Sequence, residues 1–268
     1  MADIDITTHE GFKNFVTDTL GEDILTKEGY ILHSHFDTIK EGNLYIIGLN
    51  PSKDKKGNVV KMQENLEQIT SDKEYVGCEH NWSTEKKPYA CGLHPIQRNI
   101  KQIAKIFSKS ELYSNLKLEE GGEDKSYKNI CLTNLIFESS DNENNVTYSE
   151  RYNYWKIHKQ ILKVIKPKII IAFGNREDKS PYHHLKKEVK PKKEDISILK
   201  DCGNKRFQCK SFTGDIEIGE NKFLTTTVIG LPHLSRYHLY LHDEKDYPKK
   251  DILKEVVKWM ESKIPKVD

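Results

Sequence analysis

Four short apolar runs, each passing within a residue or two into Gly or Asn, set the frame for this chain. They are Leu44-Tyr45-Ile46-Ile47, Ile130-Cys131-Leu132, Ile169-Ile170-Ile171-Ala172-Phe173 and Phe223 to Ile229. A strand with one wet face alternates apolar and polar side chains. An unbroken apolar run fits a strand covered on both faces, as in a parallel sheet. The stretches between carry helical spacing instead. In Pro95 to Phe107, Ile96, Ile100, Ile103 and Phe107 recur at three- and four-residue intervals. From Ser149, read as an N-cap, Tyr154, Ile157, Ile161 and Ile165 do the same until Lys166-Pro167 stops the helix. Near the C-terminus Ile252, Val256 and Trp259 share a face, with Leu253, Val257 and Met260 beside them. Strands alternating with helices predict a three-layer α/β/α fold around a central, mainly parallel four-stranded sheet. One domain over residues 1–268 is expected, with insertions at about 53–94, 109–128 and 176–221. The first is polar, carries Trp82 and Tyr89, and reads as a lid or binding loop. The third reads as a short helix and a hairpin.

Charge narrows the partners. The formal net charge is only +2 over 268 residues, so any polyanion must be met by local patches rather than a domain-wide field. Lysine clusters occur at Lys53, Lys55 and Lys56, at Lys86 and Lys87, and from Lys186 to Lys193; each also fits a solvated surface. No apolar run reaches the ~18 residues of a membrane helix. The polar, acidic N-terminus does not read as a secretory signal, and the 5 cysteines suggest no disulfide framework. A cytoplasmic, reduced monomer is expected, with no membrane partner.

Ligands of open α/β sheets gather at the carboxyl ends of the strands, so the residues after each run matter most. They are Gly48-Leu49-Asn50-Pro51-Ser52, then Thr133-Asn134, then Gly174-Asn175, then Gly230-Leu231-Pro232-His233-Leu234-Ser235-Arg236-Tyr237. Amides, hydroxyls and a histidine converge there. The phosphate-binding P-loop and the dinucleotide fingerprint are both absent. Gly48, without a Cβ, lets another group approach the backbone, and Pro51 biases Asn50 toward an extended conformation that fixes its amide. An Asn-Pro pair on its own also simply makes a turn.

Taken in order, G-L-N-P-S, L-T-N, A-F-G-N and P-H-L-S-R resemble the motifs of the uracil-DNA glycosylase superfamily. The resemblance spans roughly residues 44 to 240 through short motifs separated by long unmatched stretches. It implies a monofunctional DNA glycosylase that hydrolyses the N-glycosidic bond of a flipped uracil or modified pyrimidine, in repair or in phage defence. Asn50 falls where the family positions the attacking water. His233 falls where it stabilises charge on the departing base, and Asn134 where an asparagine reads the base edge. Gly48, Leu49, Pro51, Ser52 and Ser235 complete the implied substrate-binding set, with Trp82 or Tyr89 as the stacking aromatic. Arg236 and Tyr237 match the wedge that fills the vacated stack. His238, Asn175 and Lys53 join them on the expected DNA-facing side. No cofactor is implied. The physical chemistry agrees, because breaking this bond builds negative charge on the base, which a preorganised donor stabilises, and a duplex base must first be extruded.

The departures also carry information. Leu234 replaces a proline and Ser52 a glycine. Asn50 stands in place of the more strongly activating Asp, which predicts slower water activation or help from another group such as Glu138 or Asp54. The 53–94 insertion leaves room for a larger base such as glucosylated hydroxymethylcytosine. Cys78, His80, Cys91 and His94 form either a metal site, though not with the usual structural-zinc spacing, or scattered loop residues. Ser52 and Ser235 lack the Gly-x-Ser-x-Gly elbow of a serine hydrolase. The alternative from another class is a catalytically inactive module that binds a modified base, or nucleic acid generally, on the same fold.

Overall fold

The computed structural model describes residues 5–51, 60–71, 92–116, 126–140, 148–175, 180–198, 208–219, 221–235 and 250–265. In chain order the elements are α1 (His9–Leu20), α2 (Glu22–Leu25), β1 (Tyr45–Gly48), α3 (Met62–Ser71), α4 (Pro95–Phe107), β2 (Cys131–Asn134) and α5 (Tyr148–Ile165). Then come β3 (Ile169–Phe173), α6 (Pro181–Glu188), β4 (Lys190–Ile198), β5 (Gln208–Gly219), β6 (Lys222–Leu231) and α7 (Lys250–Glu261). All the strands join one sheet in the order β2-β1-β3-β6-β5-β4.

The four expected strands are its contiguous parallel part, β2-β1-β3-β6. The sheet is nevertheless 6-stranded and mixed, which corrects the four-stranded expectation. The hairpin expected within 176–221 does not stand apart. Its strands β4 and β5 extend the sheet antiparallel from β6. These strands are half-polar: in β5 Cys209, Phe212 and Ile216 are buried while Glu217 is exposed, so no continuous apolar run announces them.

The unbroken runs have the cause inferred for them. Tyr45, Ile47, Cys131, Ile170, Ala172 and Val228 pack on one face of the sheet with Phe12 and Val16 of α1, Leu66 and Ile69 of α3, Ile161 of α5 and Leu185 of α6. Their neighbours Leu44, Ile46, Leu132, Ile169, Ile171 and Ile229 pack on the other with Ile100, Ile103 and Phe107 of α4 and Val256 and Met260 of α7. Helices thus cover both faces. No helix among the described residues is long and apolar enough to cross a membrane.

Two further expectations change. The 53–94 stretch is not all loop, because α3 buries Met62, Leu66 and Ile69 on one side. Trp82 and Tyr89 lie outside the described residues. Helix α5 begins at Tyr148, which puts Ser149 inside the helix rather than at its cap. Its end is as expected: Lys166 takes φ 47°, a left-handed turn, and Pro167 follows. Helix α4 matches its expected bounds, with His94 closing a capping box through Gln97 and Pro95 at its start.

Candidate functional site

Chain direction locates the site. From β1 the chain leaves toward β2 at one side of the sheet, whereas from β3 it leaves toward β4, β5 and β6 at the other. Connections that diverge from adjacent parallel strands open a crevice at their carboxyl ends. Gly48 ends β1 at this point, level with Asn134 of β2. A Cβ on Gly48 would run into the ring of Phe173, the last residue of β3, and into Oδ1 of Asn134. Gly48 therefore serves the close approach expected of it, and the approaching groups are those of β2 and β3.

A continuous strip of side chains results, laid across the strand ends. At the β2 side, Tyr30 stacks on His33 with ring centroids 4.8 Å apart. His33 Nε2 lies 2.7 Å from Asn134 Nδ2. Asn134 and Phe173 meet over Gly48, and Phe173 meets His233 edge to face at 5.7 Å, beyond β6. The segment that carries His33 is fixed from α3: the buried Asn65 accepts from the Ile31 N–H at 2.7 Å and donates to the Leu32 carbonyl at 3.2 Å.

Asn50 is half-buried and clamped. Its amide nitrogen donates to the carbonyls of Pro51 and Ser140, each at 3.0 Å. Two carbonyl partners can only accept, so the orientation of the amide is fixed and Oδ1 is turned away from the clamp. Oδ1 takes no hydrogen bond from the described residues and is a fixed acceptor. The clamp is braced in depth, because the Ser140 N–H donates to Pro51 O at 3.2 Å and the Ser139 N–H to Glu28 O at 2.8 Å. Residues 27–29 are held in turn by 60–62, through the Gly29 N–H to Val60 O at 3.0 Å and the Met62 N–H to Lys27 O at 2.9 Å.

His233 stands exposed on a turn with a buried anchor. Its Nδ1 receives the Ser235 N–H at 3.3 Å and lies 2.8 Å from Ser235 Oγ. An Nδ1 that accepts a backbone N–H carries no proton, so in the neutral ring the proton sits on Nε2, which is a donor. Leu234, where the family has proline, is fully buried in the second core, and its carbonyl accepts from the buried Asn99 of α4 at 2.6 Å. Apolar anchoring and one hydrogen bond hold the turn in place of a rigid ring.

Behind the site lies a buried polar pair. Tyr45 Oη is 2.7 Å from His158 Nδ1, and His158 Nε2 is 3.4 Å from the Leu135 carbonyl. The carbonyl can only accept, so Nε2 bears the hydrogen and the tyrosine donates to Nδ1. Burial drives the His158 pKa down to about 3 and raises that of Tyr45 well above its ordinary range. The pair is neutral and supports the turn that follows Asn134.

Other expected residues have different places. Asn175 is 5% exposed, and its amide donates to Gly230 O at 3.0 Å and to Gln208 O. It ties β3 to β5 and β6. Glu138, proposed as a helper of Asn50, pairs with Lys27 at 3.2 Å. His94 caps α4. Among the described residues no group of three His, Cys, Asp or Glu is arranged to hold a metal ion. Ser52, Lys53, Asp54, Cys78, His80, Cys91, Arg236, Tyr237 and His238 lie outside the described residues. Tyr30, His33, Asn99 and Ser140 were not expected at the site, since none follows an apolar run. Phe173 was open to discovery as an aromatic closing a strand beside Gly48.

No family model matches the chain, and no curated protein matches it.

Proposed function

We propose that this protein is a monofunctional DNA glycosylase, acting on a base flipped from duplex or single-stranded DNA and leaving an abasic site. The observation that carries the reading is the strip at the strand ends, in which Asn134 and Phe173 meet over Gly48 and His233 meets Phe173, while Asn50 holds a fixed acceptor at the rim. The chemistry divides between the two ends. His233 Nε2–H is suited to donate to the O2 of a departing pyrimidine as negative charge develops there, a contribution whose loss typically costs ~100- to 1000-fold in rate. Asn50 Oδ1 is suited to accept from, and so orient, the attacking water. Asn134 reads the base edge. The reading includes a cytoplasmic monomer that contacts DNA through Lys53, Arg236, Tyr237 and His238.

One observation favours the second reading, an inactive base-binding module. The Asn50 amide is neutral and its nitrogen is committed to carbonyls, so it orients water without taking a proton from it. The experiment that separates the two is alkali-induced strand cleavage of DNA carrying uracil, mismatched uracil, hydroxymethylcytosine or glucosylated hydroxymethylcytosine. Wild type is compared with Asn50→Ala and His233→Ala. Cleavage of one substrate, lost in both variants, supports the glycosylase. Intact strands throughout, with base-dependent binding, would favour the module.

A further inference from the structure

We infer that the outward face of α5 is a binding track for a single DNA strand, separate from the strand ends where a base would sit. The choice of DNA rests on the proposed function, whereas the track itself is a property of α5.

The sequence shows the track first. From Arg151 to Lys168 the chain carries six cations, Arg151, Lys156, Lys159, Lys163, Lys166 and Lys168, and no carboxylate. In a chain whose net charge is only +2, such a stretch is the local excess that a polyanion requires. Helical geometry then gathers it. Residues three and four apart share a face, so Tyr152, Lys156, Lys159 and Lys163 form one row along α5. The opposite face is committed to the core through Tyr154, Ile157, Ile161 and Ile165. The row therefore looks outward: Tyr152 is 54% exposed, Lys156 is exposed, and Lys159 and Lys163 are half-buried. Lys166, just past the helix, pairs with Glu41 at 3.0 Å, so its charge is already answered.

The row has a chemistry that a strand matches. Lysines one helical turn apart stand about 5–6 Å apart at Cβ, close to the separation of successive phosphates along an extended strand. Their long stems bring ammonium groups to those phosphates as point charges. Tyr152 heads the row, and Lys156 Nζ lies 4.7 Å from its ring centroid. A large aromatic left in water beside a cation offers a face on which a base stacks while its phosphate is neutralised. Chain direction relates the track to the candidate site. Strands β2 and β3 both run parallel to β1, so α5, which connects them, runs back from the end of β2 that carries Asn134. Tyr152 thus lies toward that end of the sheet, and the lysines lead away from it, over about 10 Å from Lys156 to Lys163.

The test is anisotropy of the whole chain with an unmodified oligothymidine of about 16 nucleotides, the upper end of a single-strand site, and with an abasic strand of the same length. Lys156, Lys159 and Lys163 are replaced together by Gln, which keeps helix propensity. Lys105, Lys222 and Lys258, exposed on other elements, are replaced by Gln as a control of equal net charge. Thermal melting checks the fold of each variant. The α5 triple variant is expected to lower the slope of log K against log salt by about 2, at about 0.7 per phosphate of a single strand, and the control to leave it unchanged. Tyr152→Ala should weaken oligothymidine roughly 10- to 100-fold, the scale of one stacked base, and leave the abasic strand as it was. An α5 triple that binds as wild type, or a control that loses as much, overturns the track. A Tyr152→Ala chain that binds oligothymidine as wild type overturns the stacking. Tighter binding of duplex or of oligouridine overturns the single DNA strand as occupant, and oligoglutamate that competes as well as the DNA replaces it with an acidic protein segment. Cleavage is read separately. A wild type that binds through α5 but cleaves no base removes the glycosylase and leaves the track, whereas base cleavage with every variant binding as wild type removes the track alone.

Discussion

The ring of Phe173 occupies the space into which a side chain on Gly48 would have to grow. Gly48→Ala is therefore expected to lose about 1–3 kcal/mol of stability, the usual cost of overpacking. Phe173→Leu in the same chain should return part of it, but not all, because Asn134 Oδ1 presses on the same point. Urea unfolding of both single variants and the double variant gives the coupling. Strict additivity would mean the two residues do not compete for that space.

Asn50→Asp tests the clamp. A carboxylate would set oxygens against the carbonyls of Pro51 and Ser140, which now accept from the amide at 3.0 Å. Stability should fall by about 1–3 kcal/mol, as for buried acceptors left unmatched. On the glycosylase reading, base cleavage should be slower than in wild type although aspartate is the stronger base, since its orientation is lost. A variant faster than wild type would show that the clamp does not govern the water.

Asn99, buried in α4, holds the carbonyl of Leu234 beside His233. On the glycosylase reading, Asn99→Ala should slow single-turnover cleavage by about 10- to 100-fold, the scale of a displaced reacting group, and leave affinity for the cleaved base close to wild type. Equal losses in rate and affinity would mean that the turn contributes binding rather than alignment.

His158 gives a prediction in pH. Its folded pKa, lowered by burial to about 3, lies below its ordinary value of 6.5. The unfolded chain then binds the proton first as pH falls. Stability from this group is complete above about 6.5 and is lost progressively toward pH 3, at up to about 1.4 kcal/mol per pH unit. Urea midpoints of wild type and His158→Phe, taken at pH 7, 5 and 4, should converge as the pH falls. Parallel curves would mean that His158 is not the buried neutral group.

Much of the fold was legible because it rests on residues whose surroundings are uniform. Ile169 to Phe173 are apolar on both faces, so the run itself marks β3, and Ile96, Ile100, Ile103 and Phe107 mark α4 to the residue. Strands β4 and β5 were harder, since one side of each alternates with polar groups and only pairing with β6 decides their place. Helix α3 was missed although Met62, Leu66 and Ile69 carry the spacing, because the polar residues around them suggested loop. At the strand ends, Asn50, Asn134 and His233 were singled out from their position after a strand. His33 and Asn99 could not be found in that way. Each meets a partner at the strand ends 101 or 135 positions away, and no local pattern encodes such a partner.

The two borders of the sheet are finished differently. Beyond β2, residues 28–34 run alongside, with the Tyr30 N–H donating to Phe137 O at 2.9 Å and the His33 N–H to Leu132 O at 2.8 Å. At the other border β4 opens with Lys190-Pro191-Lys192-Lys193, and Lys192 pairs with Asp215 at 2.8 Å. One margin is sealed by its own chain and the other is guarded by charge and a proline that cannot donate. Among the described residues, strand-to-strand association of two molecules is thereby directed to β4, where Pro191 offers no N–H. The colloidal behaviour of this protein should respond to salt and to neutralised lysines at that single margin, far from the end of β1 where a base would sit.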